Sequence, residues 1–341
     1  MESRSLLLLF ALAVACGTAE PAEDGGMPDA GPPAVCAAAG EGQPAVTFAP
    51  VRPAVPYTQT EFEGFDVVSR VPADARGLVL MFHGTGGSAD FANKVESVEL
   101  QERFLAAGYG IAATESTDRM DVRRWDAALS EENVDIARLL RWIDALLTEH
   151  GLSPETPLYL VGMSNGAAFV GTFAHYLATE TARPIRAVAM YQAGWRRSVF
   201  DLGAPVVPTF HVSVENEMVS DLPMARAQVA EAAAAGRPVV DWLVPEVPLE
   251  AARFLRINGV DTEQAGALFD HLVSIGIVDA EGERLVDADE ATERLRAEPP
   301  AGLTVAEVLD VRSQLLAVWA MHQMRADLAA QNLAFFDCYG E

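Results

Sequence analysis

Residues 158–168 read Leu158-Tyr159-Leu160-Val161-Gly162-Met163-Ser164-Asn165-Gly166-Ala167-Ala168. The proline-free apolar run predicts a strand, Gly162-x-Ser164-x-Gly166 a sharp turn, and the residues beyond it a helix. Small residues flank the serine because the backbone must close tightly around it. A hydroxyl is a poor nucleophile until it is exposed, paired with a base and faced by oxyanion donors. This turn supplies the exposure, and the Asn165 N–H supplies one donor. Glycines and serines also cluster in ordinary turns, so the context decides.

That context includes a second stretch, Gly77-Leu78-Val79-Leu80-Met81-Phe82-His83-Gly84-Thr85-Gly86-Gly87. Its apolar run predicts a strand buried on both faces. The His-Gly-Thr-Gly-Gly end has few side chains and so exposes backbone N–H groups. That of Thr85 or Gly86 can be aimed at a developing oxyanion. Read alone, this is equally a glycine turn before a helix. Followed by the serine turn roughly 80 residues later, it has the order of one fold.

Here the chain resembles the α/β-hydrolase superfamily, on His83–Gly87, Gly162–Gly166 and the stretch around His322, over roughly 76–215 and 313–341. The wording His-Gly-Thr-Gly-Gly and Gly-Met-Ser-Asn-Gly-Ala is similar to esterases of the polyhydroxybutyrate-depolymerase and feruloyl-esterase type. The resemblance implies a mostly parallel central sheet with flanking helices and a helical lid. It also implies a serine hydrolase that cleaves carboxylic esters through an acyl-enzyme, with no metal and no organic cofactor. Its partner would be an ester substrate, a small molecule or a polymer.

The alternation of strands and helices independently predicts the α/β class. A strand over 63–71 leads into 77–82, and a helical stretch 90–107 ends at Gly108. Ser130, with Glu131 and Glu132 in the first turn, is the expected cap of a helix that runs to His150-Gly151. Buried strands are expected at 185–191 and 206–212. The stretch 219–312 breaks the pattern into short helices and a hairpin over 276–286. It is expected to be a lid, with an unrelated helical interaction domain as the alternative.

A serine needs a base, and six histidines are available. His83 precedes the oxyanion loop, His150 ends a helix, His175 lies in a helix and His211 in a strand. His271 sits in a helix of the insertion. That leaves His322, ahead of a final helical pattern from Asp327 to Phe336; the superfamily's base precedes the last helix, in the chain order Ser, acid, His. His271 is the second candidate. The acid is expected after the strand ending at Val214, where Glu215 comes first, then Glu217 and Asp221. Glutamate departs from the superfamily's usual aspartate. Glu115, beyond an earlier strand, is a further carboxylate near the expected pocket.

Composition sets outer bounds. The 341 residues are 50% hydrophobic with a formal net charge of −25, and Lys94 is the only lysine. An acidic chain without a basic stripe argues against nucleic acid as a partner and against electrostatic docking on anionic lipid. Leu6 to Val14 form an apolar run behind Arg4, too short to span a membrane in the mature chain. Ala13-Val14-Ala15-Cys16 resembles the bacterial lipobox, which would make Cys16 a lipidated N-terminus; Ala13 and Glu2 depart from that pattern. The expectation is an exported protein anchored to a membrane or cell surface by that lipid, or otherwise periplasmic or secreted. Cys36 and Cys338 flank the folded part, and export permits a disulfide between them.

The expected organisation is a signal segment at 1–16, an acidic Pro/Gly/Ala-rich tether at 17–44 and the first part of the core at 45–218. The lid follows at 219–312 and the histidine-bearing part of the core at 313–341. Two other functions fit the motifs. A prolyl-oligopeptidase-like peptidase would use the same triad, although no propeller-like repeat is present. A non-catalytic module on a hydrolase scaffold is the other.

Overall fold

In the computed structural model the described residues are 40–42, 44, 46–49, 57–119 and 122–340. The signal segment, Cys16 and Cys36 lie outside them. In chain order the strands are β1 (Gly40–Glu41), β2 (Thr58–Phe62), β3 (Phe65–Arg70), β4 (Leu78–Phe82), β5 (Gly110–Thr114), β6 (Leu158–Met163), β7 (Ile185–Tyr191), β8 (Thr209–Val214) and β9 (Val239–Val244). They form one sheet in the order β1-β9-β8-β7-β6-β4-β5-β3-β2. Only β3 runs against its neighbours.

The helices are α1 (Val95–Ala106), α2 (Val134–Glu149), α3 (Asn165–Glu180), α4 (Arg197–Phe200), α5 (Leu222–Ala234), α6 (Thr262–Ser274), α7 (Ala288–Ala297), α8 (Val305–Val318) and α9 (Ala329–Cys338). Side chains alternate between the two faces of a strand, and here both faces are covered. Leu78, Leu80 and Phe82 pack with α2 and α3 residues such as Leu139, Ile143, Phe169 and Phe173. Val79 and Met81 pack on the other face with Leu100 and Phe104 of α1 and Phe335 and Phe336 of α9. This is why β4 and β6 read as continuous apolar runs.

Several expectations need correction. Asn133, not Ser130, caps α2, its side chain accepting from Ile136 N at 3.0 Å. Ser130 Oγ instead accepts from Glu132 N, within the turn before the helix. Residues 40–42, expected in the tether, lie along the edge of β9, with Trp242 Nε1 donating to Gly42 O at 2.8 Å. The largest change concerns 219–312. Its first part belongs to the core: β9 pairs in parallel with β8 over Thr209–Val214, and α5 leads into it.

The insertion proper leaves and returns where Val247 N donates to Val318 O at 2.9 Å. Residues 313–318 therefore end α8 rather than open the last part of the core. Between these points α6, α7 and α8 enclose their own core, including Phe254, Leu268, Leu272, Leu295, Leu315 and Trp319. The hairpin expected at 276–286 is one bridge, Val278 to Arg284. Capping boxes at Asp261/Gln264 and Thr304/Glu307 start α6 and α8.

A buried ionic cluster ties this insertion to the core. Glu96, in the first turn of α1, accepts from Arg256 Nη1 at 2.8 Å on both oxygens, from Gln314 Nε2 at 3.0 Å and from Ala326 N at 2.6 Å. Asp327 meets Arg253, Arg256 and Arg325 at 3.2, 2.9 and 3.0 Å. Burial pushes both carboxyls up, but the guanidiniums outweigh it and hold both below the ordinary carboxylate range.

Removing one partner of such a cluster leaves a charge buried and uncompensated. Glu96→Gln is therefore expected to cost about 3–5 kcal/mol, read as a lower denaturant midpoint. The folded values are depressed, so this stabilisation is present above the unfolded carboxyl value of about 4 and is lost as pH falls through the lower folded values. Below that window the variant and the wild type should converge. A variant as stable as the wild type at neutral pH would refute the assignment.

Candidate active site

Ser164 sits at the end of β6 with φ 57° and ψ −124°, a left-handed conformation rare for a residue with a side chain. The turn closes so tightly that a Cβ on Gly162 would lie 2.4 Å from Gly166 O. One on Gly166 would lie 2.4 Å from both Phe82 O and His83 O. The two glycines are there for close approach, and the second presses the turn against the end of β4. Ser164 O accepts from Ala167 N and Ala168 N as α3 begins, and Ser164 N donates to Tyr191 O at 2.8 Å. The Asn165 N–H stands in the first turn of α3, where the helix has no carbonyl to offer it.

His83–Gly87 follow β4 beside this turn. Ser116 N donates to His83 Nε2 at 3.2 Å, so the ring proton is on Nδ1 and donates to Gly84 O at 2.7 Å. Burial pushes this imidazole below its ordinary value, which suits the neutral form. Both ring nitrogens of His83 are thus engaged in shaping the loop.

Of the two loop amides singled out, Gly86 N already donates to Val122 O and Arg123 O, at 2.9 and 3.1 Å. Gly86 is therefore corrected as an oxyanion donor, and Thr85 remains. The segment that engages Gly86 is itself held by the Asn165 side chain, which accepts from Trp125 N at 2.7 Å and donates to Trp125 O at 3.2 Å. Trp125 Nε1 in turn donates to His83 O. Residues 122–125 link the two loops, a role the sequence reading missed; the lone tryptophan after Arg123-Arg124 was the available signal. A cavity of about 250 Å³ opens beside them, lined by Gly87, Glu115, Ser116, Asp118, Arg119 and Arg123. Glu115 lies on it, paired with Arg119 at 2.6 Å.

His322 lies on the loop between α8 and α9. Its Nδ1 is 2.8 Å from each carboxylate oxygen of Glu217. The Glu217 carboxylate also accepts from Val219 N and Ser220 N at 2.7 and 2.9 Å. Burial pushes its carboxyl up, but His322 and these amides outweigh burial and hold it below the ordinary range. The Glu217 side chain is 2% exposed and that of His322 15%, so the carboxylate is shielded while the imidazole retains an open edge. A carboxylate on Nδ1 fixes the proton there and leaves Nε2 as an acceptor.

The structure corrects Glu215. That residue continues the β8–β9 ladder, its N–H donating to Val244 O and its carboxylate accepting from Glu246 N, each at 3.0 Å. The chain turns only after it, and the turn delivers Glu217. Asp221 caps α5. His271 Nε2 lies 2.8 Å from Glu298 O within the insertion, and His211 Nδ1 is 2.8 Å from Asp241. Cys338 is disulfide-bonded, and its expected partner Cys36 lies outside the described residues. Among the described residues no group of three or more His, Cys, Asp or Glu is placed to hold a metal ion, and no helix is long and apolar enough to cross a membrane.

Backbone strain gathers at these loops. Among the described residues five non-glycines have positive φ: Glu63, Arg123, Ser164, Gln192 and Ala320. Glu63 is in the β2–β3 turn. The other four carry contacts of the site: Arg123 O accepts from Gly86 N, Ser164 is the turn serine, Gln192 follows Tyr191, and Ala320 O accepts from Asn216 N. Strain of this kind persists only where the surroundings enforce it, and it clusters at functional sites.

From the β2 edge the strand order is β2-β3-β5-β4-β6-β7-β8-β9, with β3 alone reversed and a strained serine at the exit of the central β6. The chain has the α/β-hydrolase fold. No family model matches it, and neither does any curated protein. Among solved structures it is similar to a thermostable esterase at 17% identity, with a TM-score of 0.42 over 56% of this chain and 54% of that one. The chain thus spans about half the length of that esterase. It is similar also to a carboxylesterase from Mesorhizobium loti, at 16% identity and a TM-score of 0.40 over 64% and 98% of the two chains. A third is Est1E from Butyrivibrio proteoclasticus, solved with ferulic acid bound, at 12% identity and a TM-score of 0.41 over 55% and 89%. The strand order and the serine turn carry the fold, and these likenesses add nothing to it.

Proposed function

We propose that this α/β-hydrolase is a serine hydrolase of carboxylic esters, working through Ser164, His322 and Glu217. Ser164 Oγ attacks the ester carbonyl, and His322 Nε2 accepts its proton and then protonates the leaving alcohol. Glu217 holds the imidazole in the required tautomer and stabilises the imidazolium. The N–H groups of Asn165 and Thr85 face the oxyanion. Water, activated by His322, releases the acid from the acyl-enzyme. The reaction draws on these groups alone, without a metal or organic cofactor.

The observation that carries this reading is the pairing of His322 Nδ1 with a shielded Glu217, with the histidine loop tied through Gln192 to Tyr191, whose carbonyl accepts from Ser164 N. A fluorophosphonate probe and a short panel of p-nitrophenyl esters test it. The purified protein should be labelled at Ser164 and turn over at least the short esters. Failure to label would favour a binding module on the same scaffold, and labelling with peptide but no ester turnover would favour a peptidase.

Three further features belong to this reading. The insertion, whose core includes Trp319 three residues before His322, acts as a cap that limits ester size. The chain is exported and anchored through lipid on Cys16. Cys36 and Cys338 are joined, which in the chain-entropy model is worth about 4–5 kcal/mol for so long a loop. Mass spectrometry of the membrane fraction reads the last two together: a lipid-modified N-terminus at Cys16 and a Cys36–Cys338 cross-linked peptide. Any other mature N-terminus, or both thiols free, would remove the corresponding feature.

A further inference from the structure

We propose that Gln192 is a positioning residue that sets the loops of the three triad members against one another, an inference that rests on the ester-hydrolase reading above. Gln192 directly follows β7, is 3% exposed and has φ 61°. Such a backbone conformation is natural for glycine and strained for glutamine, so a side chain kept there has work that glycine could not do.

Its contacts show what that work is. The preceding carbonyl, Tyr191 O, accepts from Ser164 N at 2.8 Å and so carries the serine turn. Gln192 O accepts from Ser220 Oγ at 2.6 Å, and Ser220 N in turn donates to Glu217 at 2.9 Å. Gln192 Nε2 donates to Gln323 O at 2.6 Å and reaches Met321 O at 3.5 Å, the carbonyls on either side of His322. Two carbonyls on one side fix which end of the amide is the NH2. The Tyr191–Gln192 junction thereby holds the serine turn through Tyr191 O, and Gln192 itself reaches the acid turn and both flanks of the histidine. Its N–H donates to Val212 O at 2.7 Å, which locks this junction to β8.

The amide oxygen, Oε1, is buried with no hydrogen-bond partner among the described residues. Replacing the amide by an apolar group of similar length therefore removes an unsatisfied acceptor along with the Nε2 donors. The fold should bear this far better than the active site, because displacing a catalytic group by about 1 Å can cost on the order of 10²-fold in rate.

The test compares Gln192→Met and Gln192→Gly with the wild type in p-nitrophenyl ester kinetics and in fluorophosphonate labelling, with the concentration of folded enzyme measured by circular dichroism. The glycine variant relieves the strained φ and so keeps a folded protein available if the methionine variant does not fold. Both variants are expected to lose roughly 10²-fold in kcat per folded enzyme, with KM within about twofold, and to label correspondingly slowly. A purely structural role would instead lower the folded fraction and leave kcat per folded enzyme unchanged, which overturns the proposal. Wild-type ester turnover with unaltered variants sinks the positioning role alone. A wild type that labels but does not turn over esters sinks the ester reading, and the labelling rates then decide the role of Gln192. A wild type that does not label at all sinks both.

Discussion

Ser164→Ala is expected to lower ester turnover by about 10⁴-fold or more, and His322→Ala by a similar factor. The double variant should lose little beyond either single one, because a nucleophile without its base, or a base without its nucleophile, is already idle. Fold and melting behaviour should change little, since the turn is held by main-chain bonds at Ser164 N and Ser164 O rather than by the hydroxyl. p-Nitrophenyl ester kinetics with active-site titration read the effect. Losses that multiply in the double variant would mean that the two residues act independently and that the triad is wrong. His271→Ala is the matched control: its imidazole is tied to Glu298 O within the insertion, so turnover should persist.

The second large effect separates two glutamates only two residues apart. Glu217→Gln should cost about 10²- to 10⁴-fold in kcat, because the amide no longer enforces the Nδ1–H tautomer or balances the imidazolium. Glu215→Gln should leave turnover nearly unchanged. Among the described residues its carboxylate accepts from Glu246 N, and a glutamine oxygen accepts equally well. If the Glu215 variant is the inactive one, the geometry around His322 has been misread. The depressed Glu217 value means that this carboxylate stays ionised below the ordinary carboxyl range, so mild acid should not mimic Glu217→Gln.

Much of the fold was legible because its cues are local. The apolar runs of β4 and β6 are buried on both faces, and such strands carry no polar alternation to confuse them. Gly162 and Gly166 advertise the turn because no Cβ fits there. β9 was not legible. It carries Asp241 and Trp242 and lies near the sheet edge, where strand and insertion look alike. The α2 cap was misplaced for a similar reason, since Ser130 and Asn133 are both good caps and only the turn geometry chooses between them.

The sequence by itself determined the class of fold, the tight turn at Ser164, the glycine loop after β4 and the place of His322 ahead of the last helix, because each depends on neighbours a few residues away. The tertiary structure decided which glutamate meets His322, that the Gly86 amide is already engaged, and what Gln192 holds. Those outcomes depend on where separate segments converge. Glu215 and Glu217 differ only in whether the β8–β9 ladder has ended, and Gly86 and Thr85 only in which one faces residues 122–123. A hydrogen bond between distant loops leaves no periodicity or spacing in the chain, so it becomes visible only once the sheet has brought its partners together.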